Sequence, residues 1–300
     1  MVPYTGIPHK IIHPDKKDIS LFTFETASDV AADEPTVKAF GEEWNKFQHF
    51  KKTDLDKIGQ DYFDLIKLDE WKDCVALDVG CGSGRWAQFL NPYFKFIEAI
   101  DPSDSVFSAS QNLAAFKNIR VTKAGVGNIP FPDQSFDFVY CLGVLHHIPD
   151  TSAALRKCYE KLKTNGRFLF YLYYNFENRG IIFKLIFHIS SLFRFVISRL
   201  PKKLKHFICD LIAALVYLPI TWFSTMISLF SEKIASQIPL SYYRKTSFEI
   251  MRNDSLDRFG TPLEKRFSKN EIEKMLKDAG FINITFSIKQ PYWHGIAQKA

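Results

Sequence analysis

The ten residues LDVGCGSGRW at 77–86 restrict the fold of this chain more than any other stretch. Gly80, Gly82 and Gly84 alternate with other residues between an apolar run that ends in an acid and a helix-like segment. Such a turn lets the backbone enter conformations closed to side chains and lets it pass close to a ligand. The flanking pattern repeats: CVALDV (74–79) predicts a strand, RWAQFLNP (85–92) a helix, and KFIEAID (95–101) a second strand ending in an acid. A helix over 103–116, strands over 119–123 and 136–141, a helix over 151–163 and a strand over 167–173 continue the alternation. Right-handed crossovers of this kind build an α/β fold of three layers, with helices on both faces of a parallel sheet.

Four regions are expected. Residues 1–70 form an N-terminal extension, irregular as far as 35 and then helical. In it, FGEEWNKF sets Phe40, Trp44 and Phe47 on one helix face, and a second helix covers roughly 54–68. Residues 71–174 form the core, 175–245 an apolar and basic insertion, and 246–300 the part that completes the sheet. There, SKNE (268–271) reads as a capping box with Ser268 as N-cap, Gly280 stops the helix, and two strands follow.

Composition sets limits on function. A net charge of +6 is too small to imply nucleic acid, and no nucleic-acid partner is expected. The five cysteines make no CxxC pair, which argues against a disulfide framework and a zinc site. MVPYTGIPHK lacks the pattern of a cleaved signal peptide, so a reducing, cytoplasmic setting is expected.

The glycine turn also narrows the ligand. A phosphate-binding P-loop needs Lys-Ser/Thr after its last glycine, and here Arg85-Trp86 follow. The dinucleotide fingerprint is G-x-G-x-x-G, whereas Gly80, Gly82 and Gly84 give G-x-G-x-G. Asp78 beside the turn would repel a pyrophosphate and suits a ligand with an ammonium group. Asp101, ending the next strand, is placed to accept ribose hydroxyls, as an acid does in NAD enzymes as well.

LDVGCGSGRW, AIDPSDS (99–105), IPFPDQSFDFVYCLGVLHHIPD (129–150) and LRKCYEKLKTNGRFLFYLYYN (155–175), in this order, resemble the motif series of class I S-adenosylmethionine-dependent methyltransferases. The resemblance covers about 40–174 and 246–300. It implies a Rossmann-like sheet with its last strand antiparallel, and S-adenosylmethionine as cofactor. The implied cofactor set is Asp78, Gly80, Gly82, Gly84, Asp101, Pro102, Val126, Cys141 and Leu142, with no metal. Where relatives carry an acid toward the adenine, this chain has Gly125, leaving Val126 to contact the base. The FG-x-x-W-x-x-F segment and RFSKNEIEKMLKDAGF are similar to members associated with bacterial polysaccharide or sugar modification.

Methyl transfer needs alignment above all, and a hydroxyl or amine acceptor also needs a base. His146 and His147, after the fourth strand, are the candidates. Tyr171, Tyr173 and Tyr174 could line an acceptor pocket or serve as core; Phe40 and Trp44 could close over the cofactor or pack on the sheet. Asp254 and Asp257 read as solvated turn acids.

In the insertion, the polar residues of 181–200 (Lys184, His188, Ser191, Arg194, Ser198) recur at helical spacing, which predicts an amphipathic basic helix. Arg179, Arg199, Lys202, Lys203 and Lys205 add to its charge. LIAALVYLPITWFSTMISLF (211–230) has no charge over 20 residues, long enough to span a bilayer, with Pro219 expected to interrupt it. Both flanks of the insertion must rejoin one sheet, so a single crossing is excluded. A helical cap beside the acceptor site is expected, with membrane-surface contact through 181–230 or self-association into an oligomer as alternatives. The expected activity is methylation of a small-molecule acceptor, first an oxygen of a sugar or related compound. A lipid or lipid-linked acceptor is the next reading, and an NAD-dependent oxidoreductase or a non-catalytic binding module the remaining ones.

Overall fold

The computed structural model describes residues 1–7, 11–12, 21–22, 32–47, 52–177 and 180–300. Much of the irregular stretch expected before residue 35, and Arg179 of the basic block, lie outside the described residues. The chain divides into two units, one of Met1–Asn175 with Leu263–Ala300 and one of Phe176–Pro262.

The first unit begins with a two-residue antiparallel pair, β1 (Ile11–Ile12) and β2 (Leu21–Phe22), then α1 (Glu34–Lys46) and α2 (Lys52–Tyr62). Asp33 caps α1 through the Thr36 N–H, with a proline in the first turn. The alternation follows: β3 (Val75–Val79), α3 (Arg85–Leu90), β4 (Phe96–Asp101), α4 (Ser105–Asn112), β5 (Ile119–Lys123), β6 (Phe136–Leu142), α5 (Thr151–Lys161) and β7 (Leu162–Tyr171). After the second unit come α11 (Lys269–Asp278), β8 (Phe281–Phe286) and β9 (His294–Lys299).

The seven-stranded sheet has the order β5-β4-β3-β6-β7-β9-β8. All neighbours are parallel except β9, which runs antiparallel between β7 and β8. The central strands are mostly apolar because helices cover both faces; every residue of β4 is buried, Glu98 and Asp101 included. Two apolar clusters result, one on each side: Leu77, Val79 and Phe168 belong to one, Ala76, Ile97 and Leu169 to the other. Buried Glu98 in β4 is held by Arg120 at 2.7 Å and by the Val2 N–H at 2.9 Å, which fastens the N-terminal residues to the sheet edge. β7 starts earlier than its apolar pattern suggests, since Leu162 already pairs with Phe136 before Asn165 turns at φ +65°. The capping box at Ser268 and Glu271 is formed, and Gly280 ends α11 at φ +102°.

The second unit holds α6 (Ile181–Ile197), α7 (Lys202–Ile212), a π turn at Ala213–Tyr217, α8 (Leu218–Ser228), α9 (Glu232–Ala235) and α10 (Phe248–Gly260). Two expectations are corrected here. Pro219 does not interrupt the apolar helix: α7, the π turn and α8 run on as one helix of 27 residues, Lys202–Ser228. Widening to π geometry relieves the proline ring and its missing donor without ending the helix. The unit also extends past 245 to Pro262, because α10 packs on α6 and α7. Arg252 pairs with Asp210 at 3.0 Å, and the Ser255 hydroxyl donates to the Cys209 carbonyl at 2.8 Å. Asp254 and Asp257 therefore lie on a helix rather than in a solvated turn, and Asp254 accepts from the Tyr243 hydroxyl at 2.7 Å.

Candidate cofactor site

The order in which strands are added switches sides between the parallel strands β3 and β6, and the loops after β3, β4 and β6 gather at the carboxyl end of the sheet, where open α/β sheets bind ligands. The turn after β3 is set by its glycines, at φ +81°, +55° and +83° for Gly80, Gly82 and Gly84. A Cβ on Gly80 would stand 2.4 Å from Val144 Cγ2, and one on Gly82 would stand 3.0 Å from the Trp44 indole. The Gly80 and Cys81 N–H groups donate to the Ile100 carbonyl at 2.8 and 2.9 Å, which ties the turn to β4.

Asp101 braces the same turn. Its Oδ2 accepts from the Gly82 N–H at 3.0 Å, and its Oδ1 accepts from the Ser103 N–H at 2.8 Å and the Ser103 hydroxyl at 2.6 Å. One lone pair on Oδ2 is left for an incoming hydroxyl, rather than the two acceptor oxygens expected from sequence. Asp78 is only 1% exposed, and its Oδ2 has no hydrogen-bond partner. Burial lifts its carboxyl well above the usual carboxylate range; the Tyr140 hydroxyl beside it pulls the other way, Asp101 adds to the rise, and Arg85 opposes it. A buried acid without a nearby ion pair is costly unless a cation or donor arrives.

α1 roofs this turn. Arg85 lies between the rings of Trp44 and Trp86, 4.8 Å from each, and the Ser108 hydroxyl donates to Asn45 at 2.7 Å. Phe40 meets His147 edge-on at 4.7 Å. Trp44 and Phe40 thus come to the glycine turn and the histidine loop. Ser103, Tyr140 and Asn45 belong to the same neighbourhood; only the D-x-S pattern after the second strand marks Ser103 in sequence.

The two histidines differ in a way their adjacency hides. His146 is fully buried, stacks on Tyr173 at 3.7 Å, and accepts the Tyr173 N–H at Nδ1 at 3.4 Å. A neutral ring accepting at Nδ1 carries its proton on Nε2. Burial, with His147 and Arg266 adding to it, holds its pKa well below the usual histidine range. His147 Nδ1 faces the Leu263 carbonyl at 2.6 Å and so donates, which leaves Nε2 as the basic atom. His146 is thus packed against Tyr173 with its Nδ1 engaged, and both histidines are buried.

Pro102 lies in the turn after Asp101, and Val126 opens a short 3-10 turn (Val126–Asn128) after Gly125, itself in extended conformation. Leu142 ends β6 at 7% exposure. Cys141, the residue before it in β6, has its thiol buried in the core beside Cys158. Tyr171, at the end of β7, meets Tyr62 edge-on at 5.3 Å.

A buried acid with Oδ2 unbonded, a left-handed glycine turn and a carboxylate with one lone pair to spare lie together here, and these residues fit S-adenosylmethionine. Asp78 would stand toward the cationic end and Asp101 toward the ribose. Residues 77–170 match the family described as "Methyltransferase domain". Residues 77–170 thus carry a methyltransferase domain. It is 30% identical over 138 residues to the uncharacterized methyltransferase YcgJ of Bacillus subtilis, a match covering 45% of this chain and 54% of that one. It is 27% identical over 129 residues to a ubiquinone biosynthesis O-methyltransferase of Coxiella burnetii, covering 42% and 53%. The chain thus spans about half the length of these relatives. Among solved structures, a SAM-dependent methyltransferase from Aquifex aeolicus superposes with a TM-score of 0.43 and 14% identity, covering 83% and 98%.

Proposed function

We propose that this protein transfers the methyl group of S-adenosylmethionine to an oxygen of a small molecule, with His147 as the base. The observation that carries this reading is the buried Asp78, whose Oδ2 has no hydrogen-bond partner, beside a glycine turn braced by Asp101. S-adenosylmethionine, when bound, supplies an electrophilic methyl on a positively charged sulfur. Asp78 offsets positive charge at that end, the glycine turn admits close backbone approach, and Asp101 accepts a ribose hydroxyl. Val126 borders the adenine in place of the acid that relatives carry. His147, oriented by the Leu263 carbonyl, takes the acceptor proton at Nε2, with Phe40 packed against its ring. Tyr173 and His146 form the wall behind it.

A sugar hydroxyl is the acceptor suggested by the sequence of 40–47 and 266–281. A lipid or lipid-linked acceptor is favoured instead by the exposed apolar helices of Phe176–Pro262, and one relative is named a ubiquinone biosynthesis O-methyltransferase. Methyl transfer from labelled S-adenosylmethionine to extracts separated into aqueous and organic phases tests both. Label in the aqueous sugar fraction supports the first acceptor, label in the organic phase the second. Binding of S-adenosylhomocysteine with no transfer to either phase contradicts the enzymatic reading.

A further inference from the structure

The unit Phe176–Pro262 leaves much apolar surface outside while it buries several polar side chains. On α6 the polar stripe of Ser190, Ser191 and Arg194 is turned inward: both hydroxyls accept from Arg258 at 2.9 Å, and Arg194 donates to the Thr261 and Pro262 carbonyls at 3.3 and 3.1 Å. Its outer face is apolar, with Leu192 71% and Phe193 59% exposed. The helix Lys202–Ser228 repeats the inversion. Its inner side holds Lys205, Thr221 and Ser224, while Leu215, Trp222 and Leu229, just beyond the helix end, are 70%, 65% and 79% exposed. Only 28% of its most apolar stretch is buried.

In water, large apolar faces of this extent demand a covering. Charge indicates which. Arg199, Lys202 and Lys203 are exposed at the junction of α6 and α7, and from Lys161 to Cys209 the sequence has a single acid, Glu177. An apolar face bordered by cations matches acyl chains beneath anionic headgroups. Crossing the bilayer is excluded by connectivity. The chain leaves the first unit at Asn175, whose N–H is bonded to the Phe267 carbonyl at 3.1 Å, and returns at Leu263, so crossings must be even in number. Among the described residues only one helix is long and apolar enough to cross.

We infer that Phe176–Pro262 is a docking surface for an anionic lipid bilayer, lying in the interface with the outer faces of α6 and Lys202–Ser228 in the acyl boundary. This inference does not depend on the methyl-transfer reading. It is tested by co-sedimentation of the full chain with phosphatidylcholine vesicles, with and without phosphatidylglycerol, while circular dichroism and thermal melting confirm folding of each variant. Binding is expected to the anionic vesicles at low salt and to fall as salt rises. Leu215→Glu with Trp222→Glu should lower partitioning by about tenfold or more, and Lys202→Glu with Lys203→Glu should remove the preference for anionic lipid. Three results overturn the inference: recovery in the supernatant with both vesicle types at low salt, equal binding to both, or a vesicle-free dimer that the Leu215/Trp222 variant converts to monomer.

Discussion

Asp78 sits at the end of β3 with Oδ2 buried and unbonded, an arrangement that a cation resolves. Burial raises its pKa, so the stability that the protonated acid contributes is lost as pH rises through the raised value. A cation seated beside it favours the carboxylate, so ligand binding should expel a proton and affinity should rise with pH through that same value. Calorimetry in buffers of differing ionisation enthalpy reads the proton, and Asp78→Asn should abolish its release while weakening binding. The histidines separate in the same manner. His147→Gln should reduce turnover by about 10²–10⁴-fold with cofactor affinity kept, whereas His146→Phe should act on the melting temperature. The HH pair is legible in the sequence, but the choice between them is not. It depends on whether each Nδ1 meets an N–H or a carbonyl, and the partners, Tyr173 and Leu263, are distant in sequence from the pair.

The β3–α3 turn was the most readable element, since an acid and alternate glycines between a strand and a helix leave few conformations. Gly80→Ala should cost about 1–2 kcal/mol from the left-handed backbone alone, and the clash with Val144 should add to this in a denaturant melt. α1 was legible as a helix with Phe40 and Trp44 on one face. Its position over Gly82 was not, because periodicity shows a face without naming its partner. α11 behaves as its capping box suggests, and Ser268→Ala should lower stability by about 1 kcal/mol in thermal unfolding. Pro219 shows the opposite case: proline's local rules predict a break, and a π turn absorbs it, with α7 and the π turn packed against α10 and α8 packed against α9 and the 3-10 turn at Ser241–Lys245.

Strand–helix alternation carried the parallel direction of most of the sheet, and the two late strands completed it as expected; the order of the strands was not read from the sequence. The polarity of Phe176–Pro262 was hidden: spacing reveals a polar stripe on α6 but not that Arg258 and the Thr261–Pro262 carbonyls draw it inward. The Glu98–Arg120 pair was hidden too, since it joins two strands and the N-terminus; Arg120→Ala should cost about 3 kcal/mol by stranding a buried carboxylate, measured by denaturant unfolding. The account as a whole stands on a turn made for a cation-bearing nucleoside. Isothermal titration with S-adenosylhomocysteine, NAD and NADP, on the natural chain and on Asp101→Ala, tests it most directly. S-adenosylhomocysteine alone should bind, and the variant should lose that binding while keeping its fold. Saturable binding of NAD or NADP with none of S-adenosylhomocysteine would contradict it.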